Sequence, residues 1–152
     1  MSGCLLAIFL LKTNQFDGKA ITIIGFSLGT VVTMHCVRIL KYMYRRGFVK
    51  AGAILHDVHL WAGAFVLDPQ KTHAERMRTA YHCSVINGKF HNLWSSKDQA
   101  VRTMQPLMQP GTVSIGVKPI QLDIEDDDDG SKGLRKPVNM DVSAEGGNHG
   151  HI

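Results

Sequence analysis

A serine between two glycines is the first feature of this sequence with the spacing of a catalytic motif. The segment Gly25-Phe26-Ser27-Leu28-Gly29 has the pattern G-x-S-x-G, which forms a sharp turn between a strand and a helix in many hydrolytic enzymes. A serine hydroxyl is a weak nucleophile until a base can reach its proton, and such a turn lifts the hydroxyl clear of the backbone. The motif therefore predicts Ser27 as a nucleophile.

The residues on either side of the motif have the composition that this turn requires. Residues 21–24 are a β-branched run that predicts a strand, and a broad apolar pattern over 28–46 predicts a helix. Leu28, directly after the serine, would offer its backbone N–H to an oxyanion at the positive end of that helix. We expect no room for a Cβ atom at Gly25 or Gly29. The alternative is an ordinary strand-to-helix connection with an idle serine.

Two kinds of side chain follow the serine in the order that a Ser-Asp-His triad needs in this class of fold. Asp98 comes just after the third predicted strand, and His149 and His151 stand in the last loop. A histidine would take the proton of Ser27, and Asp98 would orient the imidazole.

Each of these partners has a simpler interpretation. Asp98 also suits the N-cap of a helix predicted over 99–108. His149 and His151 suit a solvated chain end or a weak metal-binding pair, but His-x-His alone offers too few ligands for a metal site. We therefore predict no metal and no cofactor.

Strands and helices are predicted to alternate along the chain. The predicted helices cover 2–12, 28–46, 72–81 and 99–108, and the predicted strands cover 21–24, 51–62, 83–93 and 114–122. Asn87-Gly88 predicts a bulge or turn within the third of these strands. This alternation is typical of a parallel sheet with helices on its faces, which is an α/β fold. We divide the chain into a core over 1–108 and a loop-rich segment over 109–152, which holds an acidic run at 125–129.

Charge and composition exclude some classes of partner. The 152 residues are 44% hydrophobic and 20% charged, with a formal net charge of +4, as expected for one globular domain. The basic residues Lys41, Arg45, Arg46 and Lys50 stand near one helix end, where cations suit the helix dipole. We interpret them as a solvated helix end and expect no nucleic-acid partner.

The apolar segments and the cysteines indicate where in the cell the protein is expected. The apolar run 4–11 is too short to span a membrane and makes a poor signal peptide. We therefore expect membrane association only through partner chains or through sequence missing here. Three widely spaced cysteines, Cys4, Cys36 and Cys83, do not form a disulfide framework, which favours a reducing, intracellular compartment.

Several segments together resemble one family. They are Gly3-Cys4-Leu5-Leu6-Ala7, Ile21-Thr22-Ile23-Ile24-Gly25-Phe26-Ser27-Leu28-Gly29, Trp61-Ala62-Gly63-Ala64, Val85-Ile86-Asn87-Gly88 and Ser95-Ser96-Lys97-Asp98. This set resembles the eukaryotic transmembrane and coiled-coil domain-containing protein 4 family over most of 3–105, and the likeness resumes over 138–151. The resemblance implies the C-terminal portion of an α/β-hydrolase-like fold, with a partial parallel sheet flanked by helices.

The resemblance also implies roles for individual residues. It matches Ser27 to the nucleophile and Asp98 to the acid, and it favours His151 over His149 as the base. The family's domain extends upstream of the segment that this sequence matches. We therefore expect missing N-terminal sequence or partner chains to complete the sheet and to supply the second oxyanion N–H.

Two functions are consistent with these features. The first is a serine hydrolase that cleaves an ester or acyl bond of a small molecule or lipid through Ser27, Asp98 and His151. The alternative is a catalytically inactive, hydrolase-derived structural subunit of a larger assembly.

Overall fold

A computed structural model of the chain describes residues 2–65, 73–108, 114–122 and 137–145. Within these ranges helices and strands alternate. In chain order they are α1 (Ser2–Lys12), β1 (Ile21–Phe26), α2 (Gly29–Arg45), α3 (Val49–Ala53), β2 (Leu55–Trp61), α4 (His73–Cys83), β3 (Phe90–Trp94), α5 (Gln99–Met108) and β4 (Val138–Asp141). The acidic run at 125–129 and both tail histidines, His149 and His151, lie outside the described residues.

The four strands form one sheet in the order β1-β2-β3-β4, and every neighbouring pair is parallel. This sheet with its flanking helices confirms the predicted α/β fold. Crossovers between parallel strands are almost always right-handed, so in this strand order the connecting helices are expected on one face of the sheet. Consistent with this, α2 packs on β1, and both α1 and α4 pack on α2.

The core lies between α2 and the strands beneath it. Met34, Val37 and Leu40 recur at a spacing of three residues along α2, so they share one face of the helix, and all are at most 5% exposed. They meet strand residues that are fully or almost fully buried, namely Leu55, Val58, Leu60 and Phe90. Each such side chain contributes about 1.5–3 kcal/mol by leaving water, so this layer fixes the helix whose first turn follows Ser27.

The opposite side of the sheet, called here the second face, is much less covered. Strand register aligns Ile24 and Phe26 of β1 with Val138 and Met140 of β4 in two rows across the sheet. These four side chains are 57%, 42%, 45% and 45% exposed. Parallel sheets in α/β proteins are ordinarily covered on both faces. The second face is therefore a large apolar surface for a fold of this type.

Histidines stand in the middle of the second face. His59 and His91 are register partners on β2 and β3, and their rings stack with centroids 4.7 Å apart. Burial first, and then the charges of His59 and Lys89, lower the pKa of His91. No local pattern predicts that these two residues pair, because strand register depends on tertiary packing.

Three strand predictions differ from the structure. The strand predicted over 51–62 begins only at Leu55, because residues up to Ala53 belong to the helix α3. Residues 114–122 form a turn and extended segment without strand pairing beyond an isolated bridge at Ser114. The strand predicted over 83–93 begins only at Phe90. The turn predicted at Asn87-Gly88 is confirmed and delays the strand, because the Asn87 side-chain amide donates to the carbonyl oxygens of Gly52 at 2.9 Å and Leu55 at 3.0 Å.

The helices of the described ranges are short or carry many polar residues. None of them is long and apolar enough to cross a bilayer.

Candidate functional site

Ser27 occupies a sharp turn between β1, which ends at Phe26, and α2, which begins at Gly29. Its φ angle is 50°, in the left-handed region that side chains with a Cβ seldom adopt. Holding a serine there costs on the order of 1–3 kcal/mol, and such strain is concentrated at functional sites. The local geometry is therefore that predicted from the G-x-S-x-G motif.

Hydrogen bonds on both sides hold the Ser27 backbone in this conformation. Its N–H donates to the carbonyl oxygen of Trp61 at 3.0 Å, which extends the pairing of β1 with β2 by one residue. Its carbonyl oxygen accepts from the backbone N–H of Thr30 at 3.1 Å and of Ala64 at 3.2 Å. Each bond of this kind contributes about 1 kcal/mol, so together they offset the strain.

Thr30 adds a third bond to the same carbonyl. Its hydroxyl donates to the Ser27 oxygen at 2.6 Å and accepts from the N–H of Phe65 at 3.2 Å. The Thr30 side chain is fully buried. It therefore ties the turn after β1 to the segment after β2.

The two glycines of the motif differ in the space available for a side chain. A Cβ atom at Gly25 would lie 2.6 Å from the Thr33 hydroxyl and 3.0 Å from the Thr30 backbone, so strand and helix meet too closely for any side chain. A Cβ atom at Gly29 would meet nothing within 4 Å. The expectation of a close approach is confirmed at Gly25 and wrong at Gly29, because the helix has already turned away from the strand there.

This difference makes the two glycines a matched pair for mutation. Gly25→Ala is expected to lower the free energy of unfolding by about 1–3 kcal/mol, the usual cost of overpacking. Gly29→Ala adds the same methyl group in open space and is expected to change it by less than about 1 kcal/mol. Urea unfolding of both variants measures the difference. Equal effects of the two substitutions would contradict the packing described here.

Leu28 stands where an oxyanion-stabilising residue is expected. It is the N-cap residue of α2, and its side chain is 61% exposed. Its N–H donates to no backbone oxygen of the described residues. An amide at a helix N-terminus lies in a positive potential, so this group can stabilise a negatively charged oxygen.

Asp98 lies in the loop between β3 and α5 and is fully buried. One carboxylate oxygen, Oδ1, accepts from the backbone N–H of Val101 at 2.9 Å, so Asp98 caps α5 as the simpler interpretation proposed. An ionised carboxylate accepts several hydrogen bonds through two oxygens. Capping the helix and orienting an imidazole are therefore compatible roles for the same side chain.

Ser27 and Asp98 lie at the same edge of the sheet, at the carboxyl ends of β1 and β3. Only β2 separates those strands, so at about 4.8 Å per strand their ends are about 10 Å apart. Asp98 itself follows the end of β3 at Trp94 by four residues.

The chain after β4 begins at the same edge. Ser143 accepts at its hydroxyl from the N–H of Ser96 at 2.9 Å, and the two hydroxyls are 3.1 Å apart. This joins the segment that leads toward the tail to the loop that carries Asp98. Among the described residues, no group of three His, Cys, Asp or Glu side chains is arranged to hold a metal ion.

A second strained residue was not foreseen. Ala62 has a φ angle of 47° and follows β2 as Ser27 follows β1. Next to it, a Cβ atom at Gly63 would lie 2.5 Å from the Ile115 side chain, so segment 114–122 packs tightly against this turn. An alanine carries no sequence signal for a left-handed conformation, because only glycine, asparagine and aspartate favour it.

Comparison with known proteins identifies a family and no individual relative. No curated protein and no solved structure matches the chain at a significant level. A family model described as "Protein of unknown function (DUF726)" matches residues 1–130. Since that match covers most of the sequence, the chain belongs to the DUF726 family.

Proposed function

We propose that this chain carries the site of a serine hydrolase that cleaves an ester or acyl bond through Ser27, Asp98 and His151. One observation carries the proposal. Ser27 is held in a left-handed conformation at a strand-to-helix turn, and three donors fix its carbonyl oxygen. Such strain, offset by local hydrogen bonds, is concentrated at functional sites, and here it falls on the one residue of the motif that has a nucleophilic hydroxyl.

The proposed reaction has two steps. The Ser27 hydroxyl attacks the carbonyl carbon of the substrate while the histidine takes its proton, and the Leu28 N–H stabilises the resulting oxyanion. The histidine then gives that proton to the departing alcohol or amine, which leaves an acyl group on Ser27. A water molecule, deprotonated by the same histidine, releases the acid and restores the serine.

The assignment of the other two triad members rests on order and placement. The chain order is Ser27, then Asp98, then the tail histidines, as in α/β-hydrolases. Asp98 is buried near the sheet edge that carries Ser27, and the segment leading to the tail starts beside it. We assign His151 as the base on the family resemblance, with His149 as the alternative.

The surroundings of Ser27 favour an apolar acyl group. Phe26 and Leu28, on either side of the nucleophile, are 42% and 61% exposed. Exposed apolar side chains next to a reactive group are typical of a binding surface for hydrocarbon. A small-molecule or lipid ester is therefore the proposed substrate class.

Detection of an acyl group on Ser27 tests the proposed reaction. We expect p-nitrophenyl acetate to give a burst of nitrophenol, and mass spectrometry of the quenched protein to place an acetyl group on Ser27. The matched control is Ser2→Ala, which removes an exposed serine from α1. Acetylation spread over surface residues, without a burst, would contradict the proposal.

A structural subunit is the second candidate, and the second face of the sheet favours it. Ile24, Phe26, Val138 and Met140 form an exposed apolar surface of a kind that α/β folds usually cover. We propose that further sequence of the protein or a partner chain covers this surface. If a folded protein with that surface covered forms no acyl-enzyme, the structural role is the better account.

A further inference from the structure

A cavity between α2 and α4 is lined by an unusual concentration of positive charge. Its volume is about 380 Å³, and its walls are formed by Arg38, Ile39, Lys41, Tyr42, Arg45, Tyr81 and His82. The three cations of α2 recur at spacings of three and four residues, so they share one face of the helix. Within the described part of the chain, no aspartate or glutamate lines the cavity.

The side chains on the two helices are held together by contacts across the cavity. The Lys41 ammonium donates to the Ser84 hydroxyl at 2.5 Å and lies 4.5 Å from the centre of the Tyr81 ring. The Arg45 guanidinium lies 5.9 Å from the centre of the same ring. Cations over one aromatic face are attracted to it, and this places two of them at one wall.

The electrostatic state of the cavity shows that its charges repel one another. Burial, followed by the charge of Arg45, lowers the pKa of Lys41. Burial lowers the pKa of His82, and the charges of Arg38, Arg78 and Lys41 lower it further. A bound anion would remove this repulsion.

We propose that this cavity binds the phosphate group of a phosphate ester. Guanidinium groups bind phosphate oxygens in pairs with matched geometry, and an ammonium adds a further donor. A volume of about 380 Å³ falls within the range of small-molecule sites, so it holds an organic group beside the phosphate. The tyrosine and isoleucine walls suit that second part.

The cavity is separate from the proposed hydrolase site. Arg38 is the residue of the cavity closest in sequence to the start of α2 at Gly29. At 1.5 Å per residue, it lies roughly 14 Å along the helix from the turn that carries Ser27. Binding there is therefore independent of whether Ser27 is a nucleophile.

Isothermal titration of the full chain with glycerol 3-phosphate, and with phosphatidylcholine vesicles that do or do not contain phosphatidate, tests the proposal. Arg38→Gln and Arg45→Gln remove exposed charges of the cavity without touching the core. Each is expected to raise the dissociation constant about tenfold, since a charge-assisted bond contributes about 1.5 kcal/mol or more. Arg46→Gln, which removes the neighbouring charge outside the cavity, is the matched control.

The two probes distinguish the source of the phosphate. Binding of glycerol 3-phosphate alone indicates a soluble ester, and binding only to vesicles with phosphatidate indicates a lipid headgroup. In either case, nuclear magnetic resonance is expected to show the pKa of His82 rising on binding, because an anion favours the protonated ring. No binding to either probe, or equal weakening by Arg46→Gln and Arg45→Gln, would overturn the proposal.

Discussion

Replacing Asp98 with asparagine is expected to slow acylation of Ser27 by about 10⁴-fold while leaving the fold intact. An asparagine in the triad stabilises the wrong tautomer of the histidine and cannot stabilise the imidazolium, and this loss is of that size in serine proteases. Asparagine caps helices about as well as aspartate. The Asp98 side chain caps α5 through the Val101 N–H, so that bond is expected to survive.

Two measurements on the same variants separate the two roles of Asp98. Asp98→Asn is expected to keep the free energy of unfolding within about 1 kcal/mol of the parent and to lose the acylation rate. Asp98→Ala also loses the cap, which costs about 0.5–2 kcal/mol of stability. An unchanged acylation rate in Asp98→Asn would mean that Asp98 serves the helix alone.

Removing the proposed base, His151, is expected to have the second large effect on the acylation rate. His151→Ala is expected to lower the acylation rate by a factor on the order of 10⁴ or more, because the Ser27 proton then has no acceptor. His149→Ala is the matched control two residues away and is expected to change the rate less than about twofold. Burst kinetics with a p-nitrophenyl ester measures both variants.

The pH dependence of the acylation rate gives an independent check that a histidine is the base. The acylation rate of the parent is expected to fall at acidic pH, because a protonated histidine cannot accept the Ser27 proton. If His149→Ala gives the large loss instead, the base is His149. Small effects in both variants would leave Ser27 without a histidine and would contradict the triad.

The turn around Ser27 could be predicted because its signals are local. A β-branched run, a small residue at Gly25 and an apolar helix pattern lie within one stretch of sequence. The close contact at Gly25 follows directly from where strand and helix meet. The open space at Gly29 could not be foreseen, because it depends on the direction in which α2 leaves the turn.

The far edge of the sheet was harder to predict. The strand β4 has only four residues, all exposed, so it lacks the alternating burial that marks a strand. Its partner β3 precedes it by more than forty residues. Such pairing depends on contacts that no local pattern encodes.

Segment 114–122 is the opposite case, in which a strand is predicted and the structure has a loop. Its apolar residues suggested a strand, but they anchor a loop. The buried Asn92 side chain on β3 donates to the carbonyl oxygens of Ile115 and Lys118 at 3.2 Å and 3.3 Å. A buried amide needs partners, and it draws this loop over the sheet in place of a paired strand.

Only the basic residues of the cationic cavity could be predicted from the sequence. Lys41 and Arg45 were recognised as a basic group near a helix end, and their interpretation as a solvated terminus followed from α2 alone. The structure adds Tyr81 and His82 of α4 across from them. Side chains from a second helix give this exposed charged surface a second wall, and their position depends on how the two helices pack.

Fluorophosphonate labelling of the protein from its native source tests the central claim most directly. The reagent reacts with a serine only when its hydroxyl is activated by a neighbouring base. We predict that the folded protein is labelled on Ser27 and that Ser27→Ala removes the label while Ser2→Ala keeps it. A folded protein that takes no label, or a label that survives Ser27→Ala, would contradict the assignment of Ser27 as a nucleophile.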